Sequence, residues 1–365
     1  MAISVPERFV LLDGIRGVAA LFIVHRHAEL FFGRPEESSY LAVDLFFALS
    51  GFVLAHAYGK KLADGTTSPA TFMTARFFRL YPLYVLSLLL MAAFFICLYV
   101  LGLPTPIDDL HRPINLSELG VVLLTGLLFL PAPFTITLNG ALFLVSPAWS
   151  LFNELVVNTF YARWGVRASL RFILCIVFFS LCLLVVAAIE FGKLHAGFRW
   201  HEMYAGMGRV FFSFLVGVLI YRFRDHVPKF APVSALLYLA FVCLVLALPI
   251  SRAVRPFYDL AMVVAGWPVL LYLASRTVPD KIVGALSSFL GTASYAVYVL
   301  HIPLLAWTVF LLPSLTQGNA ASLYGYAFIA AVVVFSWALT VWYDQPVQAW
   351  LKKRLRARAT SRQTA

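Results

Sequence analysis

Long apolar runs separated by short polar or basic stretches recur along the whole chain. They fall near residues 11–31, 40–58, 80–103, 118–135, 148–164, 171–190, 205–222, 232–250, 257–275, 286–312 and 323–343. About 20 consecutive apolar residues are what a helix needs to cross the hydrocarbon core of a bilayer. The pattern predicts an all-α fold, a polytopic transmembrane helix bundle. No separate soluble domain is indicated, so residues 1–365 are expected to form one membrane domain with a basic tail at about 347–365.

Charge placement sets the number of crossings. Lys60, Lys61, Arg76 and Arg79 mark one loop as cytoplasmic, and Arg163, Arg167 and Arg171 mark another, because lysine and arginine are retained on that side. An even number of crossings must join those loops, yet three apolar runs lie between them. The odd run is 118–135, which is short, ends in PAPF and precedes the polar TLNG. It is expected to be re-entrant or interfacial, shielded by other helices. About ten spans remain, with both termini cytoplasmic. The loop with Asp108 and Asp109 is expected outside, and Arg252 and Arg255 are exceptions on an outer loop. The start, MAISVPERF, lacks the basic opening and cleavage site of a signal peptide, so the first run is expected to be a retained helix.

Composition agrees: 62% of residues are hydrophobic and 12% charged, about half the charge of an average soluble domain. The net charge of +11 is spread over short clusters between runs and the tail KKRLRARATSR. That distribution points to anionic membrane lipids as partners and excludes nucleic acid. Cys97, Cys175, Cys182 and Cys243 all lie in apolar runs without ligand spacing, so neither a disulfide framework nor a metal site is expected.

Ionisable residues inside spans are expensive and are functional candidates by default. They are Arg16, His25, Arg26 and His27 in the first span, Asp44, Glu154 and His301. Arg16 and His27 are eleven residues apart, which places both on one helix face roughly 16 Å apart along the axis. Such a pair suits an extended molecule with an anionic head and a reactive end, the shape of coenzyme A. His25 points about 160° from His27 and is expected outside that site. Arg76 and Arg79 share one face at a cytoplasmic helix end, where guanidinium forks suit phosphate oxygens.

These residues resemble the motifs of the acyltransferase 3 family, bacterial inner-membrane acyltransferases of the O-antigen and exopolysaccharide O-acetyltransferase type. LDGIRGVAALFIVHRH is similar to the family's opening signature, with Arg16 and His27. AVDLFFALSGFVLAHAY resembles its second-helix motif, with Asp44 and Ser50, and RFFRLYPLY matches the arginine pair followed by Tyr81. SPAWSLFNELVVNTFY is similar to the tryptophan motif, with Trp149, Ser150 and Glu154. SYAVYVLHIPLL resembles the late motif, with Ser294, Tyr295, Tyr298 and His301. Two motifs depart from the pattern: Asn153-Glu154 holds one carboxylate where many members have two, and the closing motif is Asp344-Gln345-Pro346.

The resemblance implies ten spans in the bacterial cytoplasmic membrane. It also implies an acyl-CoA co-substrate, acetyl-CoA by default, and a hydroxyl acceptor on a sugar, oligosaccharide or polysaccharide. No bound cofactor is implied. His27 is expected to act as general base, and Arg16, Arg76 and Arg79 to hold the coenzyme A phosphates. Glu154 is expected either to orient His27 or to bond sugar hydroxyls. Direct transfer and a covalent relay through Ser50 or Ser150 both remain open. A secondary transporter is the rival class, since intramembrane Arg, Asp, Glu and His also build ion pathways; the sequence shows no inverted repeat of interrupted helices to support it.

Overall fold

The structure, a computed structural model, describes residues 8–33, 37–103, 115–133, 141–226 and 234–363, without the side chains beyond 354. In chain order the helices are α1 (Val10–His27), α2 (Glu29–Phe32), α3 (Ala42–Ala63), α4 (Pro69–Val100), α5 (Leu116–Leu127), α6 (Ala148–Phe160) and α7 (Leu170–Phe191). There follow α8 (Met203–Phe223), α9 (Ala235–Ala247), α10 (Arg255–Ala261), α11 (Trp267–Ala274), α12 (Lys281–Leu311), α13 (Ala321–Leu339) and α14 (Gln345–Gln363). Single π-helical turns extend α6, join α10 to α11 and join α13 to α14. The described residues form isolated bridges but no strand.

The chain is a polytopic helical membrane protein. Among the described residues seven continuous helical segments, two of them made of labelled helices joined by π turns, are long and apolar enough to cross a bilayer. Helix α7 turns Phe172, Phe178, Phe179 and Ile189 outward, a surface suited to lipid and not to water. Helix α1, with Asp13, Arg16 and Arg26, and α6 with its π turn are more polar, and α9 is short. With these three, a helix stands at each of the ten runs expected to cross.

Run 118–135 yields only the 12-residue α5, about 18 Å long against a hydrocarbon core of about 30 Å. Its carboxyl end stops against α4, where the Tyr81 and Tyr84 hydroxyls donate to the carbonyls of Leu127 and Gly126 at 2.9 and 2.8 Å. Phe129, a non-glycine residue at φ 58°, then turns the chain, its ring 4.1 Å from that of Tyr84. A half-length helix whose last carbonyls are bonded by neighbours is the form that irregular backbone must take at membrane depth. The TLNG segment and the loop holding Asp108 and Asp109 lie outside the described residues.

Two of the expected boundaries move. The arginine pair does not open its helix: α4 starts at Pro69, with the Ser68 side chain accepting from the Thr71 amide, so Arg76 and Arg79 lie two turns or more inside. A serine N-cap followed by proline is a strong start, and it outweighs the polar character of the segment before Arg76. The first run is broken after His27, where the short α2 begins.

Helices α1 and α12 pack most extensively. A Cβ on Gly17 would lie 2.4 Å from Leu290 Cβ, so only hydrogen fits there. Helices α3 and α8 close in the same way, with Gly51 against the Phe214 carbonyl at 2.0 Å from a built Cβ. Small residues at crossings are what let membrane helices approach, since lipid provides no hydrophobic drive between them. Pro303 within α12 removes the amide that would bond the Val299 carbonyl, and the Ser87 hydroxyl of α4 donates to it at 2.6 Å.

Candidate functional site

The α1–α12 crossing brings two histidines together. His27, the last residue of α1, and His301, within α12, have ring centroids 4.9 Å apart. His27 Nδ1 lies 2.8 Å from the Ile23 carbonyl, and His301 Nδ1 lies 3.1 Å from the Val297 carbonyl. A carbonyl only accepts, so each Nδ1 carries a proton. His301 Nε2, 3.2 Å from His27 Nδ1, is therefore an acceptor aimed at the shared proton. His27 Nε2 is left with no protein partner among the described residues. His301 is fully buried, and its contact with His27 was not foreseen in the sequence.

Farther along the same helices, Arg16 pairs with Asp13 at 2.7 Å and donates to the Ser294 hydroxyl at 3.0 Å. Arg76 donates to Glu154 at 2.5 Å, and the Ser50 hydroxyl donates to the same carboxylate oxygen at 2.6 Å. Arg79 reaches Asp344, which the π turn between α13 and α14 presents, at 3.1 Å, and its guanidinium stands 5.2 Å from the Tyr295 ring. The two guanidiniums of the pair thus hold different carboxylates, yet both line one cavity of about 180 Å³. Arg16, Ser50, Ser150, Glu154, Ser294, Tyr295 and Tyr298 line it too. Arg76 Nε is buried there without a partner, a donor with spare capacity.

His27 lines a second cavity, of about 130 Å³, with Arg26, Tyr40, Trp149, His195, Phe198 and Arg209. Val43 and Tyr298 line both cavities and form the wall between them, and the Tyr298 and Ser150 hydroxyls are 2.7 Å apart. The shared face of α1 therefore serves two chambers instead of one continuous groove. Glu154 lies in the arginine chamber and does not touch His27, because the Arg76 guanidinium and the Ser50 hydroxyl hold its carboxylate.

Other motif residues support these walls. Asp44 accepts two bonds from Arg209, at 3.0 and 2.7 Å, and both side chains are fully buried. Arg209 also donates to the carbonyls of Ala196 and Tyr40 and stands 5.3 Å from the Trp149 ring. Tyr295 donates to the Leu80 carbonyl. His25 faces elsewhere, 3.3 Å from Glu37 and stacked on Phe32 at 4.2 Å, as the wheel predicts. Arg209 and His195 escape the sequence reading. For Arg209 the signal is a charge within the apolar run 205–222, which must find the other intramembrane charge, Asp44. His195 sits in the loop between α7 and α8 and has no such signal.

No group of three His, Cys, Asp or Glu side chains among the described residues is arranged to hold a metal ion. The four cysteines are free and lie in helices α4, α7 and α9.

Comparison with known proteins adds three findings. The family model for acyltransferase 3, described as an acyltransferase domain, matches residues 9–341. "Protein 2 in picA locus" of Rhizobium radiobacter is 75% identical over 191 residues, which is 52% of this chain and 100% of that protein. No solved structure matches.

Proposed function

The chain belongs to the acyltransferase 3 family and is a membrane acyltransferase; on that premise we propose that it moves an acyl group, acetyl by default, from acyl-CoA to a carbohydrate hydroxyl. The observation that carries this reading is the His27–His301 pair, in which His27 Nδ1 is engaged by Ile23 and His301 while the ring lines a cavity. A neutral imidazole placed at a cavity is the group general-base catalysis needs near pH 7.

The acceptor hydroxyl enters the His27 chamber and gives its proton to His27 Nε2 as its oxygen attacks the thioester carbonyl. Charge then builds on the imidazole, and His301 Nε2 accepts the His27 Nδ1 proton in a hydrogen bond that strengthens. The tetrahedral adduct collapses by breaking the carbon–sulfur bond. The thiolate leaves with the proton held by His27, so the products are the ester and coenzyme A thiol. The donor's phosphates lie in the arginine chamber. Arg76 Nε has a free donor there, and the forks of Arg16 and Arg79 add charge-assisted bonds. The acyl end reaches His27 past Tyr298 and Val43. On the positive-inside rule we assign that arginine chamber and both termini to the cytoplasmic face, and the family resemblance supports a bacterial inner membrane.

One contact favours a second reading. Ser50 Oγ stands 2.6 Å from the Glu154 carboxylate, the pairing of a nucleophile with its base. The same carboxylate oxygen is held by the Arg76 guanidinium, and Ser50 lies in the chamber away from His27, so direct transfer is preferred. Purified protein given acetyl-CoA and a sugar acceptor releases free thiol in step with acylated sugar. Intact-mass measurement after exposure to donor alone is expected to show unmodified protein. Thiol release without acylated sugar overturns the transfer reading, and an added acetyl mass on Ser50 overturns the direct route.

A further inference from the structure

We infer that the His27 chamber takes an acidic sugar, one with a carboxylate beside the hydroxyl to be acylated; this rests on the carbohydrate acyltransferase reading above. Four guanidiniums at the two chambers hold a carboxylate: Arg16 has Asp13, Arg76 has Glu154, Arg79 has Asp344 and Arg209 has Asp44. Arg26 differs. Among the described residues no carboxylate lies within 4.0 Å of it. Its contacts are the Glu37 carbonyl and His195 Nδ1, each at 3.4 Å, and the Tyr40 ring at 5.0 Å. Both hydrogen bonds are beyond the usual range, so a guanidinium with five donors lines the cavity with most of them uncommitted. The Glu37 carboxylate faces His25 instead.

A buried cation with no carboxylate in contact among the described residues, only the more distant Glu37 and Glu29, is costly, and an incoming anion that neutralises it is correspondingly favoured. His195 extends the site. Arg26 can only donate, so His195 Nδ1 accepts and its proton sits on Nε2, a second donor lining the same chamber. Burial and then the neighbouring Arg26 hold the His195 imidazole well below its usual value, so it stays neutral. A planar carboxylate suits a guanidinium fork with one adjacent N–H donor. Trp149 and Phe198 in the same wall give apolar surface for a sugar ring. Arg26 and His27 are consecutive, so an anion on the first places a nearby hydroxyl at the second.

The test uses the full-length protein, acetyl-CoA and three acceptors: a methyl glucuronoside, the matching methyl glucoside and its 6-phosphate. The wild type is expected to acylate the glucuronoside with a kcat/KM about 10- to 100-fold above the glucoside, as charge-assisted bonds of this type warrant. Arg26→Gln is expected to bring that ratio near one, a comparison made within one preparation and so independent of its folded fraction. His195→Ala is expected to lower the ratio part of the way. Equal use of uronoside and glucoside by the wild type overturns the inference alone, as does a ratio unchanged by Arg26→Gln. Preference for the 6-phosphate over the uronoside overturns the carboxylate assignment. Transfer to none of the three overturns the carbohydrate reading and the inference with it.

Discussion

At His301 the backbone carbonyl of Val297 takes the Nδ1 proton, and this leaves Nε2 as an acceptor for the proton of His27. The role follows from which nitrogen each carbonyl occupies, and it makes His301 a positioning residue and not a second base. His301→Ala is expected to lower kcat by about 10- to 100-fold while leaving KM for acyl-CoA within about 2-fold, because no donor contact is lost. His25→Ala, whose ring pairs with Glu37 and Phe32, is expected to keep most of the activity in the same assay. The arginine pair gives the opposite signature. Arg76→Ala and Arg79→Ala are expected to raise KM for acyl-CoA several-fold more than KM for the acceptor, and lysine to rescue only in part, lacking the fork. A rise confined to the acceptor assigns both arginines to the other substrate. His27 and Arg16 stand out in the sequence as charges in an apolar run, and Arg76 and Arg79 as a basic pair abutting one. The partners do not. Glu154 is as conspicuous as His27, but only the packing shows that it serves Arg76 and Ser50.

Helix α1 is unusual among the spans in carrying Asp13, Arg16 and Arg26; α12 and its own turn satisfy the first two, and Arg26 is left to the His27 chamber. The crossing depends on Gly17, where a Cβ would lie 2.8 Å from the Leu290 carbonyl carbon as well as 2.4 Å from its Cβ. Backbone cannot give way as a flexible side chain can. Gly17→Val is expected to push α1 from α12, lowering the thermal midpoint in detergent by several degrees and kcat by at least 10-fold, since His27 and His301 separate. An unchanged midpoint would mean that the contact is not close. Helix α5 was legible for a different reason. Charge parity singled out 118–135 as the run that does not cross, and the 12-residue helix with its end bonded by Tyr81 and Tyr84 has that form. What pattern alone missed is where α4 begins, since the Ser68-Pro69 start lies in a polar segment that hydropathy assigns to a loop.

Across the whole molecule, the proposed reaction needs the two chambers to open toward different substrates, with Tyr298 and Val43 between them. The expected sidedness is testable in a background with Cys97, Cys175, Cys182 and Cys243 replaced by serine. A cysteine at Asn139 is expected to react with an impermeant thiol reagent added outside intact cells, and one at Arg167 only after the membrane is opened. Labelling of Asn139 only from within would make 118–135 a crossing segment and reverse the placement of the later helices. Fold class was legible in the sequence because the bilayer demands length and apolarity, whereas seven helical segments among the described residues meet that demand against the ten expected. The division into two chambers was not legible, because its wall is Val43 and Tyr298, contributed by helices distant in sequence. The central claim is that His27 takes the acceptor proton in acyl transfer. Its most direct test is the turnover of purified His27→Ala, at saturating acyl-CoA and acceptor, in protein whose melting matches the wild type. The predicted result is acylated product formed at least about 100-fold more slowly; turnover equal to the wild type would contradict the account.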